Sequence, residues 1–229
     1  MNSKYLFFIT LIISIIIQII TGIIELTAFF IKVPTTYSIL KQLLAIELIV
    51  QFFEGSFYFW LANNFNKVFN ITPKRYIDWA ITTPSMLIIL MIYLIYLNKR
   101  TLNLNNQLNF FTIFKDNYFI FIPVLLLNWS MLIFGYLGEI NFIPTLLSTL
   151  IGFIPFFIYY YIIYINYVST NTNTYSKLIF WYFLFFWSLY GFVTILPYYI
   201  KNSLYNIFDL FSKNFFGLFL SYIIFYNIY

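Results

Sequence analysis

Apolar stretches of about 20 residues recur along the whole chain, and each is long enough to cross a bilayer core as a helix. Hydrophobic residues make up 62% of the 229 residues and charged residues 8%, whereas a soluble domain carries about 25% charged residues. The sequence therefore predicts an integral, multi-pass membrane protein, in a membrane that it does not identify. The polar connections are short and leave no room for a separate soluble domain, so we predict one membrane domain over residues 1–229.

Breaks between the apolar stretches predict seven transmembrane helices, which we number α1 to α7. The first stretch is too long for the apolar region of a signal peptide, so we expect it to be retained. Pro73 suits the first turn of the third helix. The predicted ranges are Lys4–Phe30, Ser38–Ala62, Arg75–Leu97, Tyr118–Leu137, Phe142–Val168, Lys177–Tyr199 and Ser203–Asn227. The predicted fold class is an all-α bundle of seven transmembrane helices.

Basic residues in the connections give a weak orientation signal. Cytoplasmic segments carry the larger share of lysine and arginine, and an extracellular N-terminus satisfies that rule slightly better than the reverse. The inner segments would then carry Lys32, Lys41, Lys99, Arg100, Lys115 and Lys177, and the outer segments Lys4, Lys67, Lys74, Arg75 and Lys201. We therefore expect an extracellular N-terminus.

Composition excludes several kinds of site and partner. The chain has no cysteine and no histidine, which are the commonest ligands of protein metal centres, so we predict no metal site. The net charge of +5 lies mostly in the connections and reflects membrane topology, so we expect no nucleic-acid partner. The many Phe and Tyr residues suit contact with membrane lipid and define no subunit interface, which leaves a homo-oligomer open.

Polar residues within the predicted spans repeat at helical spacing. One face of α2 carries Glu47, Gln51, Glu54 and Tyr58, and one face of α7 carries Asn202, Asn206, Asp209 and Lys213, both at offsets 0, 4, 7 and 11. Shorter sets on α3 and α1 are Asp78 with Thr82 and Thr83, and Ser14 with Gln18. A single Gln or Ser in a membrane is usually hydrogen-bonded between helices. Two acids on one face of α2 instead favour a hydrated, functional interior.

Lys213 has the highest free-energy cost of these residues within a membrane. A charged lysine at the bilayer centre costs roughly 3 kcal/mol or more, so it faces the protein interior, is paired, and is functional by default. Asp209 lies one helical turn before it, and Asp78 lies at similar depth if α3 and α7 are neighbours. A lysine with two carboxylates and Arg75 nearby can hold a cationic Schiff base against its counterions.

Several motifs resemble those of the microbial (type 1) rhodopsins. The segment RYIDWAITTP, residues 75–84, resembles their third-helix signature. Asp209-x-x-x-Lys213 followed by Gly217 resembles their seventh-helix signature, in which the lysine carries retinal. Trp187-Ser188-Leu189-Tyr190 and Asn128-x-x-Met131-x-x-x-Gly135 resemble segments around the chromophore. The string DLFSKNFFG, residues 209–217, is most similar to the viral rhodopsins of giant algal viruses.

The resemblance implies a cofactor and a set of roles. All-trans retinal would form a Schiff base with Lys213, with Asp78 as primary counterion and proton acceptor and Asp209 as second counterion. Arg75 and Thr82 would complete the counterion network, with Thr82 bonded to Asp78. The implied retinal pocket consists of Trp79, Thr83, Asn128, Met131, Gly135, Trp187 and Tyr190. The family's usual proline after the sixth-helix tyrosine is Gly191 here, which bears on the geometry of α6.

Members of this family include proton pumps and ion channels, and the residues along the ion path distinguish the two. Bacteriorhodopsin-type proton pumps carry a carboxylate eleven residues after the Asp78 position, where this chain has Ile89. The acids on α2 and the Lys-Asn pair instead resemble algal channelrhodopsins, so Glu47 and Asn214 would form a gate with Ser14 as a third member. Thr83 and Asn128 stand where channelrhodopsins place the pair that controls closing. The implied ion path and gate consist of Ser14, Glu47, Gln51, Glu54, Asn206 and Asn214.

We therefore expect a light-gated cation channel rather than an enzyme, with cations or protons as the transported ions, because carboxylate-lined pores favour cations. The main alternative is an outward proton pump in which Glu47 or Glu54 serves as proton donor. A photosensor that moves no ion would be expected to carry a signalling domain or tail, and none follows Tyr229. A seven-helix transporter or structural protein without retinal is the remaining alternative.

Overall fold

Seven helices long and apolar enough to cross a membrane are present among the described residues of a computed structural model. The described residues are 2–67, 69–102, 108–171 and 173–226. The seven helices are α1 (Ser3–Phe30), α2 (Thr35–Asn64), α3 (Thr72–Thr101), α4 (Phe110–Glu139), α5 (Thr145–Val168), α6 (Thr174–Val193) and α7 (Tyr198–Tyr226). The predicted all-α, seven-helix fold class is confirmed.

Three helix ends, the start of α4, the end of α6 and the start of α7, differ clearly from the predictions. α4 begins at Phe110 rather than Tyr118, because the side chain of Asn109 caps it by accepting a hydrogen bond from the backbone N–H of Phe111 at 2.9 Å. The predicted connection between α3 and α4 is therefore partly helical, and its residues 103–107 lie outside the described part of the chain.

The predicted α6 is also too long. It ends at Val193 rather than Tyr199, and α7 begins at Tyr198, directly after Pro197. Proline has no N–H to continue the hydrogen-bond ladder of a helix but suits the start of one, so Pro197 divides an apolar run that had been read as a single helix.

Consecutive helices pack side by side, and α1 closes the ring against α7. α3 is the most buried of the seven, which places its polar residues inside the bundle. α1 turns a row of apolar side chains outward, where lipid would cover them: Ile12, Ile16, Ile19, Ile20 and Ile23.

A π-helical turn interrupts α7 at Leu210–Asn214. Such a turn closes its hydrogen bonds one residue later than an α turn and is frequent at functional sites. The extra residue allows three consecutive side chains, Ser212, Lys213 and Asn214, to be buried together. The π-helical turn therefore turns both the lysine and the following asparagine toward the interior.

Candidate functional site

Lys213 lies among three carboxylates that come from three helices. Its Nζ atom donates a hydrogen bond to Asp78 Oδ2 at 2.9 Å, and it lies 3.5 Å from Asp209 Oδ1 and 3.9 Å from Glu54 Oε1. All four side chains are buried, so the ion pairs are poorly screened by solvent. The structure thus joins Lys213 to both predicted counterions, and it adds Glu54, which the sequence had placed in the ion path. We call Lys213, Asp78 and Glu54 the lysine layer.

Asp209 is held by two tyrosine hydroxyls and one guanidinium. Tyr58 donates to its Oδ2 at 2.7 Å and Tyr190 to its Oδ1 at 2.8 Å, while Arg75 Nη1 lies 3.5 Å from Oδ2. The Tyr190 hydroxyl also shares a 2.8 Å hydrogen bond with Ser212. Both carboxylate oxygens of Asp209 therefore accept hydrogen bonds from buried donors, which fixes the position of its side chain.

Arg75 is fully buried and bonded mainly to asparagines of α7. Its Nε donates to Asn202 Oδ1 at 2.9 Å, and its Nη2 donates to Asn206 Oδ1. Asn206 reaches α1 as well, because its side-chain N–H donates to Thr10 Oγ at 3.1 Å and its backbone carbonyl accepts from Ser14 Oγ at 3.1 Å. We call Thr10, Ser14, Arg75, Asn202 and Asn206 the arginine layer. It lies nearer the N-terminus of α7 than Lys213 does.

On the opposite side of Lys213, three polar side chains bridge α1, α2 and α7. The Asn214 amide donates to Thr21 Oγ at 2.9 Å and to Gln51 Oε1 at 3.0 Å. The Gln51 amide donates to the backbone carbonyl of Gln18 at 2.7 Å and to Thr21 Oγ at 3.3 Å. We call Thr21, Gln51 and Asn214 the amide layer, because their hydrogen bonds tie the three helices together at one level.

Beyond the amide layer, Glu25 of α1 and Glu47 of α2 both lie against Gly217 of α7. A Cβ atom on Gly217 would overlap the Glu25 carboxylate and would lie 3.2 Å from Glu47 Cγ. Both glutamates are fully buried, and none of their carboxylate oxygens has a hydrogen-bond partner among the described residues. We call Glu25 and Glu47 the carboxyl pair.

The predicted gate is arranged differently from the expectation. Asn214 bonds to Thr21 and Gln51, and the structure does not bring it into a hydrogen bond with Glu47. Ser14, expected as a third gate member, bonds to Asn206 in the arginine layer. Residues two helical turns apart on α2 lie about 10 Å apart along the axis, so Glu47 and Glu54 fall on opposite sides of the amide layer.

Thr21 and Glu25 belong to the site although they are not among the predicted residues. The signal for them was present, since Ser14, Gln18, Thr21 and Glu25 follow the same 0, 4, 7, 11 spacing that marked α2 and α7. Thr82 shows a smaller difference. Its hydroxyl bonds the backbone carbonyl of Asp78 at 3.0 Å rather than the carboxylate, and Asp78 Oδ1 has no partner among the described residues.

A mostly apolar cavity next to Lys213 is lined by residues of α3, α4, α5, α6 and α7. Its lining includes every predicted pocket residue except Asn128, namely Trp79, Thr83, Met131, Gly135, Trp187 and Tyr190, and Lys213 stands at one end. Asn128 lies just behind this wall and donates to Thr83 Oγ at 2.8 Å.

The side chains fit retinal, a long apolar polyene with one aldehyde. An apolar, aromatic-lined cavity accepts the polyene, and a buried amine at its end is the group that a Schiff base requires. Glycines let two aromatic rings of the cavity lining pack closely against neighbouring helices. A Cβ on Gly135 would crowd the Tyr76 ring, and one on Gly191 would overlap the Phe153 ring. The glycine at position 191 therefore gives Phe153 room beside α6, while Tyr190 still reaches Asp209.

The fold and site together define a class: a seven-helix membrane protein with a buried lysine, its carboxylate counterions and an adjoining apolar cavity. The sequence profile of the bacteriorhodopsin-like protein family matches residues 9–227. The chain belongs to that family, and it is a retinal-binding photoreceptor or ion transporter rather than an enzyme. In a comparison with curated protein sequences nothing matched the chain.

Solved structures show the same fold. The viral rhodopsin OLPVRII is 28% identical, with a TM-score of 0.78 and 100% of both chains covered. The blue light-absorbing proteorhodopsin from Med12 is 20% identical, with a TM-score of 0.73 and 98% of each chain covered. Xanthorhodopsin, described as a light-driven ion pump with a dual chromophore, is 18% identical, with a TM-score of 0.73 over 97% of this chain and 93% of its own.

Proposed function

We propose that this protein is a light-gated cation channel whose ion path runs between α1, α2, α3 and α7. The observation that carries the proposal is the stack of four polar layers in that interface. From one end of the bundle to the other they are the arginine layer, the lysine layer, the amide layer and the carboxyl pair. Carboxylates recur along the stack, and carboxylate-lined paths select cations.

The amide layer is the natural closing point of this path. Its hydrogen bonds join three helices, at 2.7–3.3 Å, and it separates the lysine layer from the carboxyl pair. Asn214 follows Lys213 directly in the π-helical turn, so a displacement of the lysine acts on the amide layer through one peptide unit.

The lysine layer holds the groups that respond first. All-trans retinal, held as a Schiff base of Lys213, would supply a light-driven isomerisation of its polyene close to the Lys213 nitrogen. Asp78 Oδ2 already accepts a hydrogen bond from that nitrogen at 2.9 Å, so it is placed to take its proton. Loss of that ion pair changes the charge next to Glu54 and Asn214. Separation of the amide layer then admits water, and cations follow the path past Glu54, Gln51 and Glu47.

Voltage-clamp recording of light-induced currents tests the proposal. A channel current reverses sign with voltage, and its reversal potential follows the cation gradient. Currents that stay outward at every voltage would contradict the channel proposal.

An outward proton pump is the second candidate, and a specific observation favours it. Glu47 is buried, and its carboxylate oxygens have no hydrogen-bond partner among the described residues. Such a residue suits a proton donor on the side of the amide layer away from Asp78. Xanthorhodopsin, a relative in fold, is a light-driven ion pump. Under this candidate the current stays outward, and Glu47→Gln slows the recovery of the pigment after a flash.

A further inference from the structure

The carboxyl pair is built in a way that the light-absorbing site does not require. Glu25 and Glu47 are both 0% exposed, and their four carboxylate oxygens have no hydrogen-bond partner among the described residues. An isolated ionised carboxylate is very costly to bury, and in practice such a group takes up a proton instead. Two adjacent carboxylates increase that cost, because like charges disfavour one another's ionisation.

Gly217 allows the two side chains to approach each other. A side chain at this position would displace the Glu25 carboxylate and press on Glu47, so α7 leaves space where α1 and α2 converge. The Glu25 carboxylate and the Glu47 Cγ therefore both border the space that a Cβ of Gly217 would fill.

Among the described residues, no cation lies within ion-pair distance of either glutamate. On the side away from Lys213 the buried neighbours one turn along are apolar on α1 and α2, Ala28 and Leu43 with Leu44, and α7 adds Leu220 and Ser221. On the side toward Lys213 the neighbours are the polar residues of the amide layer. The lysine nearest along α7 is Lys213, four residues before Gly217. Lys213 lies across the amide layer and is already shared by Asp78, Asp209 and Glu54.

We propose that Glu25 and Glu47 together form one proton-binding site, in which a carboxylic acid of one residue donates a hydrogen bond to the carboxyl oxygen of the other. Neither residue holds the proton alone, so the pair titrates as a unit. The inference deepens the proposed transport function, and for the transfer step it rests on that function. When the amide layer separates, the O–H bond of the pair breaks and an N–H bond forms at the Lys213 nitrogen, whose own proton has gone to Asp78.

Glu25 is the distinctive part of this proposal. A donor on α2 alone would leave Glu25 as an unrelated buried acid with no partner. The shared site explains why both acids are buried at the same level and why α7 has a glycine there. It also gives the site a resting proton that does not depend on light.

Infrared spectroscopy of the pigment in the dark tests the shared site without any measurement of transport. Because the pair shares one proton, we expect one protonated carboxyl C=O band, which shifts or disappears in Glu25→Gln and in Glu47→Gln alike. Asp116→Asn serves as the matched control, because Asp116 is exposed on α4. The visible absorption band of each variant shows that it has folded.

A change of this band in both variants defines coupled dark bands, whereas a band that either substitution leaves unchanged would overturn the shared site. The transfer step has its own readout in time-resolved spectra after a flash. Removal of a positioned proton donor is expected to slow reprotonation of the Lys213 nitrogen by about 100-fold in either Gln variant. Coupled dark bands with unaltered reprotonation would retain the shared site and reject the transfer step. Coupled dark bands with purely outward currents would reject the channel alone.

Discussion

Replacement of Gln51 by alanine tests whether the amide layer keeps the path closed. The Gln51 side chain makes three hydrogen bonds, to the Gln18 carbonyl at 2.7 Å, to Thr21 at 3.3 Å and from Asn214 at 3.0 Å. A hydrogen bond between side chains of membrane helices contributes about 0.6 kcal/mol on average. Loss of three therefore destabilises the closed layer by about 2 kcal/mol, which corresponds to about a 20-fold change in a rate or equilibrium constant.

The assay is the decay of the photocurrent after the light is switched off. If closing requires these hydrogen bonds to form again, Gln51→Ala slows that decay by up to about 20-fold. Gln42→Ala is the matched control, since Gln42 is also on α2 but accepts a hydrogen bond from the backbone of Phe110, away from the path. If Gln51→Ala closes as fast as wild type and Gln42→Ala, the amide layer is not the closing point.

Three further substitutions address other layers. Asp78→Asn is expected to shift the visible absorption band to longer wavelength, because the positive charge at the Lys213 nitrogen loses its nearest counterion at 2.9 Å; an unshifted band would make Asp209 the main counterion. Asn128→Ala removes the 2.8 Å hydrogen bond to Thr83, and we expect flash spectroscopy to show a several-fold change in the return to the dark state, whereas unchanged kinetics would remove this bond from the control of closing. Gly217→Ala is expected to lower the melting temperature of the pigment in the wild-type background but much less in the Glu25→Ala background, because the added methyl group overlaps the Glu25 carboxylate; equal losses in both backgrounds would contradict that contact.

The seven-helix architecture could be predicted from the sequence because lipid imposes it. Apolar length alone identifies each span, and the interior face of α2 or α7 follows from the helical spacing of a few polar residues. Lys213 with Asp78 and Asp209 was predictable for the same reason, since a charge in a membrane needs a partner at the same depth.

The amide layer and the carboxyl pair were not predicted, for physical reasons that are specific to their residues. Asn214 was assigned to Glu47 from a resemblance, but hydrogen bonds depend on the rotation of α7, and the π-helical turn at Leu210–Asn214 alters that rotation locally. Glu25 was missed although its spacing was visible, because its partner Glu47 lies on another helix. Their meeting depends on the absence of a side chain at Gly217.

The central claim is that Lys213 carries retinal among the carboxylates of the bundle. Addition of all-trans retinal to the membrane-reconstituted protein, followed by a visible absorption spectrum, tests it most directly. Wild type is expected to develop a visible band, and Lys213→Ala is expected to develop none, because no other buried amine lines the cavity among the described residues. A Lys213→Ala protein that still forms a coloured pigment, or a wild-type protein that stays colourless, would contradict the account.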